Sequence, residues 1–315
     1  MTIVIGIDIG GTNTKYGFFD RNGNCFSSGE INTPCFDTAE DFVSGLSNLL
    51  KKETDKIAAN HQVIGVGIGA PNGNFYNGSI EFAPNMPWKG VIRLADMFKE
   101  KLGLPVLLTN DANAAALGEM VYGAAKGMKD FIVITLGTGL GSGIVVGGKL
   151  VYGHDGFAGE IGHVIVFPEG RPCGCGRKGC LETYCSATGL TRTVTEMLEN
   201  TKMSSSLRDL KTDHLDSKQI FEAAKAGDQL ALKAFELTGK ILGIALANSV
   251  AYTSPEAIFL FGGLANAGEF IFDPVKAYFE MNLLQIYKGK VKILPSGLKE
   301  SDAALLGAAS LIWEE

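Results

Sequence analysis

Ile3-Val-Ile-Gly-Ile-Asp8-Ile-Gly-Gly-Thr-Asn-Thr-Lys15-Tyr-Gly-Phe-Phe19 decides the fold. Its opening is apolar and β-branched, which predicts a strand over 3–8. Gly10 and Gly11 begin a flexible turn, and Tyr16 to Phe19 predict a second strand. Asp20-Arg-Asn-Gly23 is a turn signal, so a third strand follows and the segment is an antiparallel meander. The plan recurs in Phe131-Ile-Val-Ile-Thr-Leu136, the turn Gly137-Thr-Gly-Leu-Gly-Ser-Gly143, and Ile144 to Lys149. Two matched units imply a duplicated architecture, one unit per domain.

The rest of the chain fits an α/β plan, because strands alternate with helical stretches. Gln62 to Gly69 and Val106 to Thr109 read as buried strands, ending at Ala70-Pro-Asn-Gly73 and Asn110-Asp111. Residues 39–59, 89–102 and 112–121 carry helical patterns, 186–246 are largely helical, and polar 204–217 predict a loop. Ala257 to Phe261 is a further strand, ending in Gly262-Gly263. Alanine-rich Ser301 to Trp313 is expected to cross back onto the N-terminal domain. The 315 residues, 46% hydrophobic and 20% charged, suit about two soluble domains. Net charge is -6 and pI about 5.4, with no basic stripe, which argues against nucleic acid as partner. No apolar run reaches the ~18–20 residues of a membrane span. The N-terminus lacks a basic n-region and its apolar run is strand length, so a cytoplasmic location is expected.

Five features carry chemistry. His163 followed by Cys173-Gly-Cys175-Gly-Arg-Lys-Gly-Cys180 supplies four donors for one tetrahedral zinc. A disulfide is the alternative, but Cys173 and Cys175 are too close to pair and a reducing cytosol disfavours it. Cys25, Cys35 and Cys185 read as ordinary buried or surface thiols. Asp8 beside Gly10, Gly11 and Thr12 suits phosphate oxygens and hydrated magnesium, or a plain hairpin with a buried Asp. Lys15 is a candidate for the transferred phosphoryl group or a solvated lysine. Gly137, Thr138 and Gly139 begin a second phosphate cradle or a structural hairpin. No Lys-Ser/Thr follows, so this is not a Walker loop, and the following strand argues against a dinucleotide fingerprint. Asp111 stands at a strand's carboxyl end, where it would accept a proton in phosphoryl transfer or cap the next helix. Glu160 and Glu182 flank the metal cluster. They suit paired sugar hydroxyls, or orient His163 from behind.

Together these motifs resemble the ROK family of repressors, open-reading-frame proteins and sugar kinases. The matching pieces are Asp8-Ile-Gly-Gly-Thr12, Asn110-Asp111-Ala-Asn113, Leu136-Gly-Thr-Gly-Leu-Gly-Ser-Gly143, Gly159-Glu-Ile-Gly-His163, Cys173 to Glu182, and Phe261-Gly-Gly263. They occur in family order over nearly the whole chain. The resemblance implies the two-domain actin-like, hexokinase-like ATPase fold, with ribonuclease H-like duplicated domains and a structural zinc knot. The domains would be 1–118 with 301–315, and 119–300. Carried over, Asp111 is the general base. Asn85, Asn110, Glu160, His163 and Glu182 hold the sugar, with one His163 nitrogen on zinc. Asp8, Gly10, Gly11, Thr12, Asn13, Lys15, Gly137, Thr138 and Gly139 serve the phosphates and magnesium, and Gly262 and Gly263 the adenosine. The implied ligands are ATP, Mg2+, Zn2+ and a hexose, and the implied assembly is a homodimer.

Family repressors carry a helix-turn-helix extension, whereas this chain opens at the first phosphate strand. That and the acidic pI favour a kinase over a sugar-sensing regulator. An acetate-kinase-like or chaperone-like ATPase gives no reason for the zinc knot. Ala83-Pro-Asn-Met-Pro-Trp88 resembles the family's glucokinases, so glucose is the expected substrate. Many relatives place glycine after the proline where this chain has Asn72, which predicts an amide near the pocket wall. N-acetylmannosamine, N-acetylglucosamine, mannose, fructose and allose stay open.

Overall fold

The computed structural model describes residues 1–210, 215–298 and 300–313. The first sheet is built from β1 (Thr2–Ile9), β2 (Asn13–Phe19), β3 (Cys25–Asn32), β4 (Gln62–Ala70) and β8 (Val106–Asn110), in the order β3-β2-β1-β4-β8. A small sheet of β5 (Gly73–Asn74), β6 (Ser79–Glu81) and β7 (Val91–Ile92) lies between β4 and β8 in sequence. The second large sheet holds β9 (Phe131–Leu136), β10 (Leu140–Val146), β11 (Lys149–Leu150), β12 (Ala257–Phe261) and β13 (Lys292–Pro295). Its order, β11-β10-β9-β12-β13, repeats that of the first. In each, an antiparallel meander is extended by two parallel strands. The duplication read from the glycine turns is therefore present in the strand order.

Helices cover both sheets. α1 (Ala39–Ile57) and α2 (Leu94–Leu102) bury Phe42, Leu46 and Phe98 against Ile3, Ile5 and Ile7. Thr38 caps α1 through the Asp41 amide at 3.1 Å, and Glu40 and Asp41 suit the positive helix start. The second core gathers α5 (Ala187–Asn200), α6 (Ser217–Lys225), α7 (Gln229–Thr253) and α8 (Glu269–Asn282) around Phe235, Leu242 and Ile258; short α4 (Glu182–Cys185) leads into them. α3 (Asp111–Val121) follows β8 and also packs on β9 and β10. α9 (Glu300–Trp313) returns onto β1, β4 and α3, as expected from the sequence.

Glycines permit these close crossings. A Cβ on Gly67 would lie 1.8 Å from Ala308 O of α9, and one on Gly143 only 2.6 Å from Ala116 Cβ of α3. The segment 137–143 is thus not all turn: β10 begins at Leu140, and Gly141 and Gly143 lie within it. The helix expected over 89–102 begins only at Leu94, after strand β7. The loop expected over 204–217 contains a 3-10 turn at Ser206–Asp209, and 211–214 lie outside the described residues. Among the described residues no helix is long and apolar enough to cross a membrane.

Candidate functional site

β8 delivers Asn110 and Asp111 at its carboxyl end. Asn110 is the N-cap: its side-chain oxygen accepts the Asn113 amide at 2.8 Å. Asp111 accepts the adjacent Ala112 amide at 2.8 Å. The capping alternative thus falls to Asn110, and the Asp111 carboxylate stays available in a recess that solvent still reaches. Protein crowding around that recess pushes its carboxyl above the usual carboxylate range.

Other acids converge there. Asp8 pairs with Lys15 across β1 and β2, so both project from one sheet face. Burial, then the Asp111 charge, pushes the Asp8 carboxyl up to about 6, against the pull of Lys15. Lys15 also lines a recess of about 360 Å³ with Glu30 and Leu305, between β2, β3 and α9. Glu160 is raised by burial; His163 opposes this, while Asp111 and Glu182 add to it. Asp8, Lys15, Asp111, Glu160, His163 and Glu182 therefore form one linked electrostatic cluster.

The first glycine turn is closed by Gly10 N donating to Asn13 O at 3.0 Å. Thr33 supports it, donating from Oγ1 to Gly10 O at 2.8 Å and from its amide to Thr12 O at 3.0 Å. Gly11 lies against Asn85: a Cβ there would sit 2.2 Å from Asn85 O, so this turn and the 83–88 loop need each other's shape. The second turn is held from below. Glu182 Oε2 accepts the Leu140 amide at 3.0 Å, and a Cβ on Gly139 would lie 2.4 Å from that oxygen. Thr188 Oγ1 donates to Thr138 O at 2.9 Å, and Ala187 N to Gly137 O at 2.9 Å. Gly262 has φ +101° and packs on Leu136 O, which sets Gly262-Gly263 beside the second turn. Gly10 to Asn13 with Asn85, and Gly137 to Gly139 with Gly262 and Gly263, are thus two separate groups, linked by the acidic cluster.

The metal candidates meet as expected. Ligand atoms of His163, Cys173, Cys175 and Cys180 all lie within 4.8 Å of one another. His163 Nδ1 is 3.7 Å from Cys173 Sγ, and Cys175 and Cys180 sulfurs are 3.7 Å apart. Tetrahedral zinc with ~2.3 Å bonds to sulfur separates two sulfurs by about 3.8 Å, so the donor set fits. With Nδ1 on that side, Nε2 is the nitrogen left over. Burial opposes the Cys175 thiolate, but Arg177 and the neighbouring thiols bring it down to about 6, whereas burial pushes Cys173 up to about 12. Glu182 Oε1 is 3.7 Å from Cys173 Sγ, so this one side chain joins the knot to the second turn. Cys185 is buried while Cys25 and Cys35 are exposed, all free.

Sequence reasoning missed Arg171. It is buried, donates to both Glu196 oxygens at 2.9 and 2.6 Å and to Thr183 O at 2.7 Å, and lies 4.4 Å over the Tyr184 ring. It fastens the knot to α4 and α5. Its partners lie 12 to 25 residues away, beyond any local pattern. Asn72 Nδ2 donates to Glu81 O at 2.9 Å and its φ is +50°, so it ties a small-sheet turn. Asn is among the few non-glycine residues that adopt this conformation readily.

The profile described as "ROK family" matches residues 4–315. A curated glucokinase from Halalkalibacterium halodurans is 38% identical, covering 99% of this chain and 95% of its own. A crystal structure of a ROK family glucokinase from Streptomyces griseus, in complex with glucose and AMPPNP, is 36% identical with a TM-score of 0.82, covering 99% of this chain and 100% of that one. A xylose repressor from Caldicellulosiruptor bescii is 28% identical over 98% of this chain and 77% of its own.

Proposed function

We propose, since this chain belongs to the ROK family, that it is an ATP:hexose 6-phosphotransferase converting glucose to glucose 6-phosphate. The observation that carries the reading is Asp111, relieved of capping by Asn110 and grouped with Glu160 and His163. The glucokinase relatives support glucose as the hexose.

In this mechanism Asn85, Asn110, Glu160, Glu182 and His163 Nε2 hold the sugar hydroxyls. Asp111 takes the proton of the 6-hydroxyl as that oxygen bonds to the γ-phosphorus of ATP, and the bond to ADP breaks. Amides of both glycine turns, with Thr12, Thr138 and Lys15, stabilise the charge on the transferring group. Magnesium accompanying the nucleotide would neutralise phosphate charge near Asp8. Zinc held by His163, Cys173, Cys175 and Cys180 would have no open position, and so would supply shape rather than chemistry. Residues 1–118 with 301–315, and 119–300, act as two lobes that close over the sugar and exclude water.

The test is coupled ADP release with MgATP across glucose, mannose, fructose, allose, N-acetylglucosamine and N-acetylmannosamine. Glucose-dependent turnover is expected, and Asp111→Asn should cut it by at least about a hundredfold with sugar binding kept. Turnover with another sugar alone would move the substrate. A folded, nearly active Asp111→Asn variant would sink the base assignment. Sugar binding without any turnover would favour a regulator, a class also found among the relatives.

A further inference from the structure

Two segments far apart in sequence meet close to Thr109 and Glu160 and have no part in the chemistry above. One is the tip of the β5–β6 hairpin, Asn74 to Tyr76. The other is the loop 152–158, which leads directly into Glu160. The Phe75 and Tyr152 rings stack with centroids 4.1 Å apart and planes 9° from parallel, and Tyr76 meets Tyr152 edge-on at 6.1 Å. Tyr76 Oη donates to Gly153 O at 2.7 Å, and buried Asn74 donates from Nδ2 to Asp155 O at 2.8 Å. The loop is closed on itself by Ala158 N donating to Tyr152 O at 3.0 Å.

Both segments bear on Thr109, two residues before Asp111. Gly73, at the hairpin's foot, packs so close that a Cβ would lie 2.4 Å from Thr109 O. The Thr109 hydroxyl is buried, lies beside the Tyr152 phenol, and accepts Asn113 Nδ2 at 3.3 Å. Asn113 is the residue whose amide Asn110 caps. A contact made by the second-sheet half of the chain thus reaches, through Thr109 and Asn113, the helix turn that carries Asp111.

We propose that Tyr152 is a positioning residue: stacked on Phe75 and set against Thr109, it couples closure of the cleft to the placement of Asp111. The proposal rests on the kinase reading for its kinetic outcome, but not for its structural one. A structural clasp alone would alter melting and leave turnover of the folded enzyme untouched. A positioning clasp acts on kcat, because misplacing the base costs rate in the closed complex.

The test uses the full chain with Tyr152→Phe, which keeps the stack and removes the phenol, and with Phe75→Ala and Tyr152→Ala, which remove the stack. Tyr152→Phe is expected to lower kcat by roughly 3- to 10-fold, the scale of a slightly misplaced base, with KM for ATP and melting unchanged. The stack variants should raise ATP hydrolysed per sugar phosphorylated, and combining them should add little to either alone. Wild-type kcat in both Tyr152→Phe and Tyr152→Ala would overturn the proposal and leave the kinase reading intact. If the wild-type protein turns over no sugar, the kinase reading fails by itself. Amide exchange at Asn113 in the ligand-free protein then decides: faster exchange in Tyr152→Phe supports the coupling, and an unchanged rate overturns it.

Discussion

At the scale of single residues, the candidate site is a place where acidic groups are crowded before any ligand arrives. Asp8 shows this most plainly. Its carboxyl is raised from 3.8 to about 6 by burial and by Asp111, so the fold favours its protonated form. The sign follows directly. Between the unfolded and folded values the native state binds more protons than the unfolded chain, so stability falls as pH rises through that window. Asp8→Asn removes the penalty. It should stabilise the ligand-free protein at pH 7 by on the order of 3 kcal/mol, with the gain fading from pH 6 towards pH 4. Urea midpoints of both proteins across that range check it, and a gain independent of pH would show that Asp8 is not the group in question. Asp8 was legible in the sequence as a carboxylate beside a glycine turn. Its coupling to Asp111, more than a hundred residues away, was not, because register and strand order place them together.

At the scale of elements, glycine had two meanings that the sequence did not separate. Gly10 and Gly139 sit in turns, whereas Gly141 and Gly143 sit in a strand beneath a helix. The pattern G-x-G-x-G-x-G looks alike in both settings, and only the crossing of α3 over β10 tells them apart. The distinction is measurable. Gly143→Ala would place a methyl 2.6 Å from Ala116 Cβ and 2.8 Å from Ala112 O, the latter rigid backbone. It should destabilise by roughly 1–3 kcal/mol. Gly174→Ala in the knot meets nothing within 4 Å, and should stay within about 0.5 kcal/mol of wild type. Equal effects in thermal melts would contradict the packing described. The small sheet escaped sequence reading for another reason. Its strands are two or three residues long, too short for any alternation to show. Yet it supplies Phe75 and supports Thr109.

At the scale of the whole molecule, the knot joins parts that the sequence presents as separate motifs. His163 arrives after Glu160, Cys173 to Cys180 fold back through bridges at Ile165–Cys180 and Pro172–Lys178, and Arg171 fastens the assembly to α5. Glu182 then carries the linkage to the second turn at Leu140. Removing the metal should therefore disturb more than the sugar side. Without an ion, burial and thiol–thiol proximity leave Cys173 with its proton, and the four donors lose the bonds that would tie them to one point. Zinc content of the purified chain should be one per molecule. Stripping it with a chelator, or Cys175→Ala, should lower the melting temperature and raise KM for sugar and for ATP together, and zinc should restore only the stripped wild type. A knot that shaped the sugar pocket alone would raise KM for sugar and leave KM for ATP unchanged. That split would mean the Glu182 bridge to Leu140 survives without the ion, and that the second turn is held by Thr188 and Ala187 alone.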